Sequence, residues 1–274
     1  MVRMLIRFAQ RLFVVALGIF SVWLIVFVFR LVDRGLPSIL ALALSYAAAA
    51  YVILPRAVLI GLKVLHRKRV PSYTLTGDGL PGDPVNLVLI GTMAQLRAAF
   101  VQAGWSQADP LDFASSWRMA RAFLFNSPYP TAPFSTLFLF GRGQDVGFQK
   151  QIGNSPRQRH HVRFWAKRLA REAALAKSDF WRSAGRPPSD ARVLWIGAGT
   201  KDTGLSLARL TFQITHATDS DTNVERDFII DELTGKKLVD DVKSYRAGQH
   251  LPVAQVNHYV TDGEITAATL VVTA

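Results

Sequence analysis

From Leu12 to Phe29 the chain reads LFVVALGIFSVWLIVFVF, eighteen residues without a charged side chain. As a helix this run is about 27 Å long, close to the ~30 Å hydrocarbon core of a bilayer. A second apolar run, Leu36 to Leu54, follows a connector holding Arg30, Asp33, Arg34, Gly35 and Pro37. Two spans joined so briefly must run antiparallel. The sequence therefore predicts a two-helix transmembrane hairpin, with spans at about 12–30 and 36–55. Pro55 is expected to mark the exit from the membrane. Ala41, Ala43 and Ala47 to Ala50 offer small residues for close helix packing. A cleaved signal peptide fits less well, because the run exceeds an h-region and no small-residue cleavage site follows Phe29.

Charge gives this hairpin a direction. The chain holds 32 Lys and Arg against 20 Asp and Glu, a formal net charge of +12. Residues 1–70 carry ten of those cations and one acid, Asp33. Arg3, Arg7 and Arg11 precede the first span; Arg56, Lys63, Arg67, Lys68 and Arg69 follow the second. Positive-inside counting predicts a multi-pass protein with both termini cytoplasmic and the connector outside. The basic, amphipathic segment 56–69 is expected to lie along an anionic leaflet, making the bilayer itself a partner. The remaining residues are almost charge-balanced, which argues against a nucleic-acid-binding domain. With no cysteine, disulfide scaffolds, thiolate metal sites and cysteine nucleophiles are excluded.

Residues 70–274 are long enough for one well-buried core. The domain organisation expected is thus 1–69, hairpin and juxtamembrane segment, and 70–274, a cytoplasmic domain. Val85–Ile90 reads as a buried strand, and Thr92 with Gln95 forms a capping box opening a helix that Gly104 ends. Asp109 and Pro110 are expected to open a second helix, with Phe113, Trp117, Ala120 and Leu124 facing inward. Pro128, Pro130 and Pro133 mark an ordered loop. Thr136–Phe140 and Val146–Lys150 read as strands around a hairpin turn, with Arg142 and Asp145 paired at its tip. Residues 159–165 read as a strand and 166–182 as a basic surface helix. Arg192–Ala198 and Arg209–His216 read as strands joined by a turn, GAGTKDTG, whose spacing fits neither phosphate-loop pattern. Thr222 and Glu225 suggest a second capping box, opening a helix to Thr234. The final thirty residues alternate as two or three strands. The fold class expected is α+β: the hairpin followed by one mixed α/β domain.

Several separated blocks carry a family resemblance. STLFLFGRGQDVGFQKQIGNSPRQRHHVRFW at 135–165, GDPVNLVLIGT upstream, GW at Gly104–Trp105, WIGAGTKDTG at 195–204 and THATDSDTNVERDF at 215–228 together resemble the LssY-like C-terminal domain family. The resemblance covers roughly residues 70–245. It implies a bacterial inner-membrane protein, in a family found behind membrane segments, and its secretion-locus name suggests a link to transport. The chain departs from the pattern in having two spans only, and a single His216 where the resemblance leads one to expect a histidine pair.

Two groups carry the candidate chemistry. On a strand, Arg157, Arg159, His161 and Arg163 point one way and His160, Val162 and Phe164 the other. Three arginines and a histidine on one face suit a phosphate or carboxylate held by bidentate hydrogen bonds. The competing reading pairs them with the domain's own acids, nine of which lie in 202–241. The second group is His216, Asp219, Asp221, Glu225 and Asp227. His160, His216 and Asp219 are the candidate ligands of a divalent metal, with an open position for water. Against this, acids are favoured before a helix N-terminus anyway, and His160 reads equally as a core histidine. Two functions follow. One is an accessory protein for transport, secretion or envelope maintenance that binds an anionic lipid or a membrane-protein partner through the Arg/His face. The other is a metal-assisted hydrolase of the phosphoesterase type, acting on a phosphate-bearing substrate such as a lipid, with His161 as acid or base and Arg159 and Arg163 clamping the anion; in the binding reading Arg157 joins them.

Overall fold

The computed structural model describes residues 2–65, 73–77, 79–168, 191–207, 212, 214–246 and 259–272. The expectations for 169–182, for 209–211, for 247–258 and for the basic residues 67–69 lie outside them; 166–168, expected to begin a helix, are strand instead. The chain divides into two compact units. One comprises 1–69 with 78–80 and 206–215; the other comprises 70–77, 81–205 and 216–274.

The first unit contains helices α1 (Val2–Asp33), α2 (Ser38–Ala48) and α3 (Leu54–Leu65), with a π-helical turn, Ala49–Ile53, between the last two. Phe8–Asp33 and Ser38–Val58 are long and apolar enough to cross a membrane. Only 6% and 22% of their most apolar windows is buried, unlike a helix at the centre of a soluble core. The residues that are buried include Ser21, Ala41, Ser45 and Ala50, so small side chains do form the helix contacts. Pro55 does not end the helix. Its ring excludes the ordinary hydrogen bond one turn back, and the π turn just before it absorbs the mismatch.

The second unit is mixed α+β, as the hydrophobic pattern indicates. Its strands are β1 (Tyr73–Leu75), β2 (Pro81–Pro84), β3 (Leu87–Gly91), β4 (Ser106–Gln107), β5 (Phe138–Leu139), β6 (Arg142–Gly143), β7 (Val146–Gln151), β8 (Arg159–Arg168), β9 (Val193–Leu207), β10 (Ile214–Thr218), β11 (Val239–Tyr245) and β12 (Ile265–Leu270). Its helices are α4 (Met93–Gln102), α5 (Phe113–Leu124) and α6 (Thr222–Gly235). The large sheet has the order β11-β12-β3-β9-β8-β7-β4, with β10 paired to β9. All pairs along this path are antiparallel except β12 with β3. A small sheet, β2-β1-β5-β6, accompanies it.

Strand alternation gives the large sheet two different faces. On one, Leu87, Leu89, Phe148, Val162, Phe164 and Trp195 pack with Leu96 and Phe100 of α4 and Ile229 and Leu233 of α6. On the other, Trp165, Leu194 and Ile196 pack with Leu139 of the small sheet and Leu137 just before it. The second face becomes polar towards the start of β8. Asn86 locks the centre of the sheet: its amide donates to the carbonyls of Gly199 and Thr222 at 2.9 and 3.2 Å and accepts from the Gly199 N–H.

Several local expectations are corrected. The Thr92–Gln95 capping box is present, but the second helix is capped by Asp112 with Ser115, not by Asp109. Asp109 instead accepts a hydrogen bond from Tyr129. α5 turns Ser115 and Ala122 inward, and leaves Phe113, Trp117 and Leu124 89%, 66% and 71% exposed. GAGTKDTG is not a turn; β9 runs through it. A β-carbon on Gly199 would meet Ile229 at 2.7 Å, and one on Gly197 would meet Phe164 at 2.7 Å. These glycines serve close packing of the sheet against its neighbours. α6 is capped by Asp221 rather than by Thr222, which frees Glu225 for another contact.

Overpacking at Gly199 is expected to destabilise the fold by about 1–3 kcal/mol. Denaturant unfolding of Gly199→Ala, compared with Gly77→Ala in open space, checks this. Equal midpoints would contradict the packing account.

Candidate functional site

The polar face begins with the alternation of β8. Arg159, His161 and Arg163 lie on one side of the strand, at 0%, 3% and 4% exposure. Their register partners on β9 are Asp202, Thr200 and Ala198. On β7, Gln149 stands opposite His161 and Gly147 opposite Arg163. β2 contributes Asp83, β10 contributes His216, and Tyr259 joins from the chain before β12.

Two buried ion pairs organise these groups. Arg159 Nε donates to Asp202 Oδ2 at 2.9 Å, and Arg163 Nη1 donates to Asp83 Oδ2. Arg159 Nη1 also donates to Gln149 Oε1 at 2.7 Å and to the carbonyls of Ala132 and Pro133. The proline-marked loop is therefore ordered because it supplies acceptors to a buried guanidinium. Tyr259 donates its hydroxyl to Asp83 Oδ1 at 2.8 Å. His161 Nε2 lies 2.8 Å from Thr200 Oγ1. The two imidazoles flank one carboxylate oxygen: His161 Nδ1 is 3.5 Å and His216 Nδ1 is 3.8 Å from Asp202 Oδ2. Phe134 lies across the group, its ring centroid 5.5 Å from the Arg159 guanidinium carbon, 4.4 Å from that of Arg163 and 5.4 Å from the His161 ring. Only a glycine at 147 leaves room for that ring.

The electrostatics follow from burial and pairing. Burial alone would raise the Asp83 carboxyl, but Arg163, His161 and the Tyr259 hydroxyl together hold it down at about 2. Burial opposes ionisation of Asp202 too; His161, Arg159 and His216 outweigh it and lower its pKa. His216 is lowered, first by burial and then by the arginines and His161 around it, with Asp202 opposing, so its ring is neutral at pH 7. Burial and Asp83 push Tyr259 well up, keeping its hydroxyl a donor.

Four nitrogens of this cluster are buried without a hydrogen-bond partner among the described residues: Arg159 Nη2, Arg163 Nε, His161 Nδ1 and His216 Nδ1. Two carboxylates satisfy part of two guanidiniums, which leaves donor capacity on Arg159 and Arg163 beside the two imidazoles. Such a surplus suits an anion, whose oxygens accept from guanidinium and imidazole together.

The residues singled out in the sequence are distributed as follows. Arg159, His161, Arg163 and His216 come together. Arg157 does not, because β8 starts after it; its guanidinium caps α5, donating to the carbonyls of Phe123 and Leu124. His160 faces α6, where Nδ1 is 2.7 Å from Glu225 Oε2 and the ring stacks on Phe228 at 4.1 Å. Asp219 accepts from the Asp221 N–H. His160, His216 and Asp219 are thus not assembled as one ligand set, since a one-residue step along β8 sends His160 through to the helical face. Among the described residues no three His, Asp or Glu side chains are grouped to hold a metal ion. Sequence reasoning missed Asp83, Gln149, Thr200, Asp202 and Tyr259 as members of the site. Asp83 and Asp202 sit inside GDPV and GTKDTG, and two acids in those blocks were the available signal.

Asp83 binds fewer protons folded than unfolded between its unfolded value of 3.8 and about 2. Its contribution of about 2 kcal/mol is complete above pH 4 and is lost as pH falls towards 2. Asp83→Asn leaves Arg163 unpaired and is expected to cost about 3–5 kcal/mol at pH 7. Denaturant midpoints across pH 7 to 3 should show the gap between wild type and variant narrowing below pH 4. A gap independent of pH would contradict the pairing.

No curated protein and no solved structure matches the chain. The model of the LssY C-terminus family matches residues 67–265, most of the chain and all the residues assembled above. The protein belongs to the LssY C-terminus family.

Proposed function

We propose that this is a membrane-anchored protein whose LssY-like domain binds a phosphate-bearing anion at the Arg159–Arg163–His161–His216 cluster. The observation that carries the reading is the set of four buried nitrogens on those residues that make no hydrogen bond among the described residues, two of them within 3.8 Å of Asp202 Oδ2. Two apolar N-terminal helices support the anchor. The excess of cations flanking them supports an orientation with both termini cytoplasmic; a bacterial inner-membrane location is what the family resemblance implies. A role assisting transport, secretion or envelope maintenance fits an anion-binding domain tethered to a membrane anchor. Phosphoester hydrolysis is the second reading, favoured by one observation. His161 is held by Thr200 through Nε2 while Nδ1, beside Asp202, stays available for proton transfer.

Thermal unfolding of the full chain in detergent, in phosphate against chloride at equal ionic strength, tests binding. Saturating phosphate at a hundredfold excess over Kd should add about 2.7 kcal/mol of stability. His216 is the most exposed member of the cluster, at 31%, and His216→Ala should reduce the phosphate shift while Arg157→Ala leaves it intact. No shift in wild type would overturn the proposal. Turnover of a phosphate monoester that His161→Gln abolishes would move the reading to hydrolysis.

A further inference from the structure

α5 has its apolar side turned outward. Phe113, Trp117, Ala120 and Leu124 recur at helical spacing on one side, and all are exposed. Leu111 and Phe125, just beyond the two ends, are 53% and 69% exposed. Five large exposed apolar side chains in fifteen residues are a density that a soluble surface rarely carries without a partner. The inward side of the helix holds Ser115, Ala122 and the half-buried Met119, against Tyr129 and Ala132. The orientation is fixed by the Asp112–Ser115 capping box at one end and by Arg157 on the last carbonyls at the other.

We infer that α5 is an interfacial helix, seating its Phe113–Trp117–Leu124 side in the headgroup region of an anionic bilayer. Three observations select lipid over a protein surface. The same chain carries two helices apolar enough to span a membrane, so the occupant is tethered to the domain already. From 113 to 124 the helix has no acid and two arginines, Arg118 and Arg121, both exposed. Arg121 has no ion pair among the described residues; Arg118, itself exposed, lies over the Tyr129 ring at 5.2 Å and is 3.6 Å from the partly buried Asp109 carboxylate. An apolar side of Phe, Trp and Leu bordered by arginine is the composition that lies in the plane of an anionic interface. The inference does not rest on anion binding at the cluster. It does bear on it, because Phe123 of α5 meets His216 edge-on at 6.1 Å between ring centroids. His216 is the most exposed of the cluster's imidazoles and guanidiniums.

The chain has no cysteine, so single spin labels can be placed at will. The full chain, carrying Phe113→Cys, Trp117→Cys or Leu124→Cys one at a time, is labelled and reconstituted into nanodiscs of phosphatidylcholine with or without phosphatidylglycerol. Asp231→Cys on α6 is the reference. In phosphatidylglycerol discs the three α5 labels should gain oxygen accessibility and lose accessibility to a water-soluble nickel complex, while the reference stays nickel-accessible. Adding Arg118→Glu with Arg121→Glu should return the 117 label to water. Nickel-accessible α5 labels in both kinds of disc would overturn the inference. So would shielding that appears in lipid-free detergent and grows with protein concentration, which would assign the face to a second copy.

Discussion

The pairing of Arg159 with Asp202 and of Arg163 with Asp83, out of water, is the constraint on which the rest of the domain depends. Desolvating a guanidinium and a carboxylate costs several kcal/mol for each ion, and only close geometry with further hydrogen bonds offsets it. That requirement fixes three things at once. β8 and β9 must stay in register, because Arg159 and Asp202 are direct partners across the ladder. The loop around Pro130–Pro133 must come close, because its carbonyls accept from Arg159. Gly147 must lack a side chain, because Phe134 lies over both guanidiniums and occupies that space. The ion pairs are therefore better understood as positioning than as net stabilisation.

Much of this was legible locally and little of it at long range. The alternation of RHHVRFW separates Arg159, His161 and Arg163 from His160 without any structure, and the strand obeys it. The partners were hidden because Asp202 lies 43 residues and Asp83 80 residues from the arginines they neutralise. β9 departs from the sequence pattern for a different reason. Glycine is disfavoured in strands unless something needs its space, and the claimants at 197 and 199 (Phe164, Leu87 and Ile229) come from three other elements. For α5 the amphipathic period was visible, but periodicity shows that a helix has two sides and not which one the core takes. Burying Ser115 and Ala122 contradicts the usual assignment, and the capping pair that sets it starts three residues later than Asp109.

The two faces of β8 separate two histidines of opposite kind. His160 is satisfied by Glu225 and Phe228 under α6, a structural contact. His161 shares Asp202 with His216 on the other side, where donors outnumber acceptors. A reading that joins His160 to His216 and Asp219 as ligands of one metal runs against this alternation. A reading that places an anion among arginines and two imidazoles uses it. The exposed apolar side of α5 belongs to the same unit, with Phe123 on its inner side against His216.

The most direct measurement is nitrogen-15 NMR of histidine side chains in the full chain, titrated with inorganic phosphate. Burial and the surrounding cations lower the pKa of His216, and an anion bound beside it must raise that pKa. The account predicts that Nδ1 of His161 and His216 shift together and saturate, that the His216 pKa rises, and that His160 is unchanged. Unmoved His161 and His216 resonances, or a response confined to His160, would contradict it.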